Sequence, residues 1–107
     1  MALTRDFKET VVTRVRRDSA FAKALLDEAA TLFLNGEPHA ARLVLRELVN
    51  ATVGFEKLAT LTGIPSKSLH RMLAVNGNPN MDNVAAIFDA IRQRLKVDLR
   101  TRSVVAA

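Results

Sequence analysis

From Leu3 to Leu95 the apolar residues recur three or four positions apart, between a few short breaks. That spacing is the period of amphipathic helices. Phe7, Val11 and Val15 fall at i, i+4 and i+8 and predict a first helix over residues 3–17. Asp18 or Ser19 suits the N-cap of a second helix. Its stripe is Phe21, Leu25, Ala29, Leu32 and Phe33, and Asn35-Gly36 closes it. Pro38 fits the first turn of a third, which buries Ala41, Val44, Leu45, Leu48 and Val49 before Gly54 stops it. Phe55, Leu58 and Ala59 give a short fourth helix ending near Thr62-Gly63. A fifth runs from Ser66 to Ala74, with Pro65 at its opening position and Leu69, Met72 and Leu73 facing inward. Asn76-Gly77-Asn78-Pro79-Asn80 reads as an exposed turn. Asn80 then caps a sixth helix, with Val84, Ile87, Phe88, Ile91 and Leu95 as its stripe.

After Leu95 the period changes to two. In KVDLRTRSV, Val97, Leu99, Thr101 and Ser103 alternate with Lys96, Asp98, Arg100 and Arg102. Alternation predicts a strand. A single strand in a helical chain has unpaired backbone groups, so Val97, Leu99 and Thr101 are expected to pair across a homodimer. The expected fold is therefore all-α, with about six helices and a short C-terminal β-strand. One domain covers residues 1–107: supporting helices over 1–53, a binding part over 54–95 and a tail over 96–107.

Composition supports this picture. Glycine and proline number four and three, while apolar residues make up 49% of the chain, which favours helices around an aliphatic core. Cysteine is absent, which excludes disulfides and thiolate metal sites. The charged start MALTRDFKET is unlike a signal peptide, and no apolar run reaches membrane-spanning length. A soluble, cytoplasmic protein without membrane contact is expected.

Charge narrows the partner. Residues 1–53 hold eight Lys/Arg and seven Asp/Glu, whereas residues 54–107 hold eight and four. Between Glu56 and Asp82 there is no acidic residue, and Lys57, Lys67 and Arg71 lie in that window. A locally basic half suits a polyanion.

The fourth and fifth helices, joined through Gly63, have the layout of a helix-turn-helix. Small Ala59 permits close approach, and Gly63 tolerates a backbone conformation that a Cβ resists. The second helix of such a pair enters the major groove, and its N-terminal residues reach base edges. Ser66, Lys67 and Arg71 are the candidate base contacts. Ser68, the front amides of the helix, Asn76, Asn78, Asn80 and Lys57 are candidates for the phosphate backbone. His70 is in reach of a phosphate but is read as a solvent residue, and His39 is read as a surface histidine.

The string FEKLATLTGIPSKSLHRMLAVNGNPNMDNVAAIFDAI, residues 55–91, resembles the lambda-repressor-like (Cro/C1-type) helix-turn-helix. The landmarks are Leu58-Ala59, Gly63, Leu69, Asn76-Gly77, Pro79 and the apolar set Val84, Ile87, Phe88 and Ile91. The Gly-Asn-Pro turn and the alternating tail are similar to the antidote proteins of addiction modules, the antitoxin half of toxin–antitoxin pairs. RRDSAFAKALLDEAATLFLNGE resembles the extra helices that some of these regulators carry. The resemblance implies a DNA-binding transcription regulator, a repressor acting as a homodimer, in which positions matching Ser66, Lys67 and Arg71 touch bases. An antitoxin would also bind a toxin protein. One departure stands out: many relatives open the bracing helix with Gln, where this chain has Phe55. That change leaves room for a rival reading, a protein-interaction module that keeps the helix-turn-helix as scaffold.

Enzyme activity is not expected. His39 and His70 lie in different elements, and no Gly-rich phosphate loop, nucleophile elbow or purposeful carboxylate pair occurs. No cofactor or metal is anticipated.

Overall fold

The computed structural model describes residues 19–107. The helix expected over residues 3–17, with Phe7, Val11 and Val15, lies outside them, as does Asp18. Among the described residues the chain is all-helical and has no strand. Its elements are α1 (Ser19–Leu34), α2 (Pro38–Ala51), α3 (Phe55–Thr62), α4 (Ser66–Met72) and α5 (Met81–Leu95).

Three residues connect α1 to α2. Gly36 takes a left-handed φ of 82°, and the amides of Asn35 and Glu37 bond back to Thr31 and Leu32 carbonyls at 3.0 and 2.9 Å. The tight reversal lays α2 against α1, the most extensive helix pairing among the described residues. The buried stripe of α1 is Ala22, Leu26 and Ala29: Ala29 is as expected, and Ala22 and Leu26 stand one position after the expected Phe21 and Leu25. Phe21, Leu25, Leu32 and Phe33 are only half-buried. Small Ala22 and Ala29 let the neighbouring backbone come close, while the bulky residues flank the contact. Phe33 packs edge-on to Phe88 of α5, with centroids 5.8 Å apart and rings inclined at 75°.

On α2, Ala41, Leu45, Leu48 and Val49 are buried as their spacing predicts, and Val44 is half-buried. One core joins Leu45, Leu48 and Val49 to Leu26, Leu58, Leu69, Leu73, Ile87 and Ile91. Each such side chain contributes roughly 1.5–3 kcal/mol by leaving water. Gly54, at φ 78°, turns the chain into α3, and its carbonyl accepts from the Leu58 amide at 3.0 Å. α3 packs on both α4 and α5, and α5 also touches α1. Asn80 caps α5 as its residue type suggests: Oδ1 accepts from the Asn83 amide at 2.8 Å.

Among the described residues the tail forms no ladder. Lys96, at φ 58°, ends α5. Beyond it, Val97 and Leu99 are half-buried against the core, while Lys96, Asp98 and Arg100 are exposed. The period-two pattern thus appears as alternating burial on the protein's own surface. Arg92 fastens this stretch, donating to Asp98 Oδ1 at 2.9 Å and to the Val97 carbonyl at 3.4 Å. No helix among the described residues is long and apolar enough to cross a membrane.

Candidate nucleic-acid interface

The joint between α3 and α4 is built from local bonds. Thr62 Oγ1 donates to the Leu58 carbonyl at 2.8 Å and accepts from the Ile64 amide at 3.2 Å. Gly63 closes α3 in the left-handed conformation, φ 73°, with its amide on the Ala59 carbonyl at 2.9 Å. Pro65 is the N-cap of α4, one position earlier than expected. Its carbonyl accepts from the Leu69 amide at 3.0 Å, and its missing N–H takes nothing from the helix. Phe55 and Leu58 on one side, and Leu69 and Leu73 on the other, are buried in the seam. Ala59, Ile64 and Met72 pack around them.

Burying Leu69 and Leu73 directs the opposite face of α4 outward. Lys67, His70 and Arg71 are exposed there, and Ser66 and Ser68 are half-buried. Arg71 reaches Ser68 Oγ only at 3.5 Å, a weak restraint on its guanidinium. The helix stops at Met72 with Leu73 as C-cap, short of the expected Ala74. A close turn follows, in which the Gly77 amide bonds the Ala74 carbonyl at 2.9 Å. Asn76, Asn78 and Asn80 are exposed along it. Asn80 has its carbonyl oxygen engaged as the α5 cap, which leaves its amide nitrogen to act as donor.

Lys57 is placed differently. It lines an open groove of about 360 Å³ between α3 and α5, with Leu61, Thr62, Asp89 and Arg94, and no α4 residue borders that groove. The structure therefore gathers Ser66, Lys67, Ser68 and Arg71 on one helix, with the asparagines in the following turn, and sets Lys57 apart. Of the residues expected to pair across a dimer, Val97 and Leu99 lie against the core and Thr101 is exposed.

Two relationships were not anticipated. Phe55, at the start of α3, stacks on His70 of α4, with centroids 3.9 Å apart and planes 18° apart. Arg42 of α2, 6% exposed, donates from Nε to the Ala74 carbonyl at 3.2 Å and from Nη2 to the Val75 carbonyl at 3.0 Å. A cation at the end of α4 also complements the negative pole of its dipole. His39 Nδ1 sits 3.0 Å from Arg42 Nη2 and 3.2 Å from the Val75 carbonyl. A bare Nδ1 accepts from the guanidinium.

One carboxylate is clearly perturbed. The hydrogen bond from Arg92 holds Asp89 below its ordinary value, with the Arg92 charge and a bond from Gln93 adding to it, against a smaller opposing effect of desolvation. Among the described residues no cluster of three His, Cys, Asp or Glu could hold a metal ion. Comparison with family models, curated proteins and solved structures returned no match to this chain.

Proposed function

We propose that this protein is a sequence-specific DNA-binding transcription regulator, acting as a homodimeric repressor, with α3 and α4 as a lambda-repressor-like helix-turn-helix. One observation carries the reading. The outward face of α4 presents Lys67, His70 and Arg71, within a stretch free of acidic residues from Lys57 to Met81. A cationic helix face in a segment that carries no carboxylate of its own favours a polyanion.

In this reading α4 lies in a major groove. Lys67 and Arg71 donate to guanine O6 and N7, and Ser66 bonds a neighbouring base edge. Ser68 and the asparagines of the 76–80 turn hold phosphates and fix the register. Two-fold symmetry sets half-sites about one helical turn apart, roughly 34 Å. The tails associate across the dimer as paired strands. An antitoxin role adds a toxin protein as a further partner.

Fluorescence anisotropy tests this, using a duplex from directly upstream of the protein's own gene and a scrambled duplex of equal length, each at two salt concentrations. Tighter and salt-sensitive binding to the native duplex supports the regulator, and Arg71→Ala should then lose roughly 1–3 kcal/mol on that duplex. Equal binding by the variant would remove Arg71 as a base reader. Binding to neither duplex would favour the interaction-module reading. That reading has one observation in its favour: Phe55, 6% exposed, is engaged by the core and by His70, where a polar side chain would clamp a phosphate.

A further inference from the structure

The Phe55–His70 stack carries an inference that rests on the DNA-binding reading and deepens it. We propose that His70 is a DNA-contacting residue, donating a ring N–H to a backbone phosphate, and that Phe55 is the platform that fixes its ring.

The stack is nearly parallel, with centroids 3.9 Å apart. Phe55 belongs to the core cluster and is packed within it, so the imidazole rests on a buried ring. Stacking covers one face of the ring and leaves its nitrogen-bearing edge uncovered. His70 itself is exposed. A histidine in open solvent would exchange rotamers freely, and ordering its side chain on binding would cost free energy. Here that ordering is already made in the protein, which favours association.

The surroundings identify the ligand. Lys67 precedes His70 by three residues, close to one turn, and Arg71 follows it; both are exposed. The field of these two cations draws DNA to this face, and a backbone phosphate flanking the groove that they enter meets an N–H donor on a fixed ring. Imidazole N–H and phosphate oxygen are complementary as donor and acceptor, and a bond to a charged acceptor is stronger than one between neutral groups. The phosphate contact that Phe55 cannot make is thereby supplied from α4 by the side chain that Phe55 supports.

The test uses the full chain, with His70→Phe, Phe55→Leu and the double variant, on the native and scrambled duplexes. His70→Phe keeps a stackable ring and removes both nitrogens. It should weaken binding by about tenfold on both duplexes alike, because phosphates carry no sequence information, with an unchanged melting temperature. Phe55→Leu should weaken binding similarly, but add nothing in the His70→Phe background. Proton NMR gives an independent readout, since the ring-current shift of the His70 protons should disappear in Phe55→Leu.

Wild-type affinity in His70→Phe overturns the phosphate contact. Loss confined to the native duplex overturns it too, by making His70 a base reader. Further loss from Phe55→Leu in the His70→Phe background overturns the platform role. If the wild type binds neither duplex, the regulator reading falls together with this one. If the wild type binds with salt sensitivity and His70→Phe matches it, His70 alone is removed.

Discussion

Arg42 and Ala74 are joined across 32 residues by a hydrogen bond of 3.2 Å, and the same guanidinium reaches the Val75 carbonyl. A single side chain thus ties α2 to the point where α4 ends. Arg42→Ala should lower unfolding free energy by roughly 1.5–3 kcal/mol, measured by denaturant titration. Arg42→Lys should recover only part of it, because an ammonium lacks the planar fork that bonds two carbonyls together. Full recovery by lysine would show that charge at the helix end, and not the fork, matters.

Gly77 is needed for closeness. A Cβ there would strike the Met72 carbonyl oxygen and lie 2.9 Å from the Arg71 carbonyl oxygen. Neither atom is the flexible end of a side chain. Gly36 has open space around it and requires glycine only for its φ of 82°. Gly36→Ala should cost about 1 kcal/mol, and Gly77→Ala about 3 kcal/mol or more. Equal melting temperatures for the two variants would contradict the close approach.

Acid should weaken the Asp89–Arg92 pair within α5. The pKa of Asp89 in the folded protein lies below its ordinary 3.8 because Arg92 hydrogen-bonds its carboxylate. A depressed pKa means the interaction is fully present above the ordinary value and is lost as pH falls through the folded one. The pair is exposed, so its effect should be small. Melting temperature followed from pH 6 to pH 2 should fall less in Asp89→Asn than in the wild type. Identical profiles would show that Asp89 contributes nothing to the acid response.

The dimer expectation has a cleaner test than removal of the whole tail. Val97 and Leu99 pack on the core and Asp98 holds Arg92, so cutting at residue 96 would damage the fold as well. Deleting residues 101–107 leaves all three in place. Sedimentation should then report a dimer for the wild type and a shift toward monomer for the shortened chain. An unshifted dimer would exclude pairing through the exposed end.

Helix limits were legible where one residue has a local reason to sit at a boundary. Pro38 opens α2, Gly63 closes α3 and Asn80 caps α5, each through its own backbone geometry or a bond three residues away. The phase of α1 was not legible. Apolar residues occupy two adjacent faces, Phe21 beside Ala22 and Leu25 beside Leu26, and periodicity alone does not choose between them. Packing chose the face with small residues. Arg42 was hidden because its acceptors lie in the turn after α4, more than thirty residues away. Phe55 and His70 were each visible in the sequence, but their contact depends on the angle at the Gly63 turn. For the tail, alternation was readable, and the surface that receives Val97 and Leu99 was not.

The undivided core has a consequence for modularity. Leu69 of α4 and Leu73, its C-cap, share one cluster with Leu26, Leu45 and Leu48, so the second half of the chain is not a portable cassette. Residues 54–107 expressed alone would lose the α1 and α2 members of that cluster, in a piece too small for a single partial core to hold. Circular dichroism of that fragment should show little helix, and a native-like spectrum would mean the halves are autonomous. Within the intact protein, a disturbance at α1 or α2 is felt by the outward helix as well.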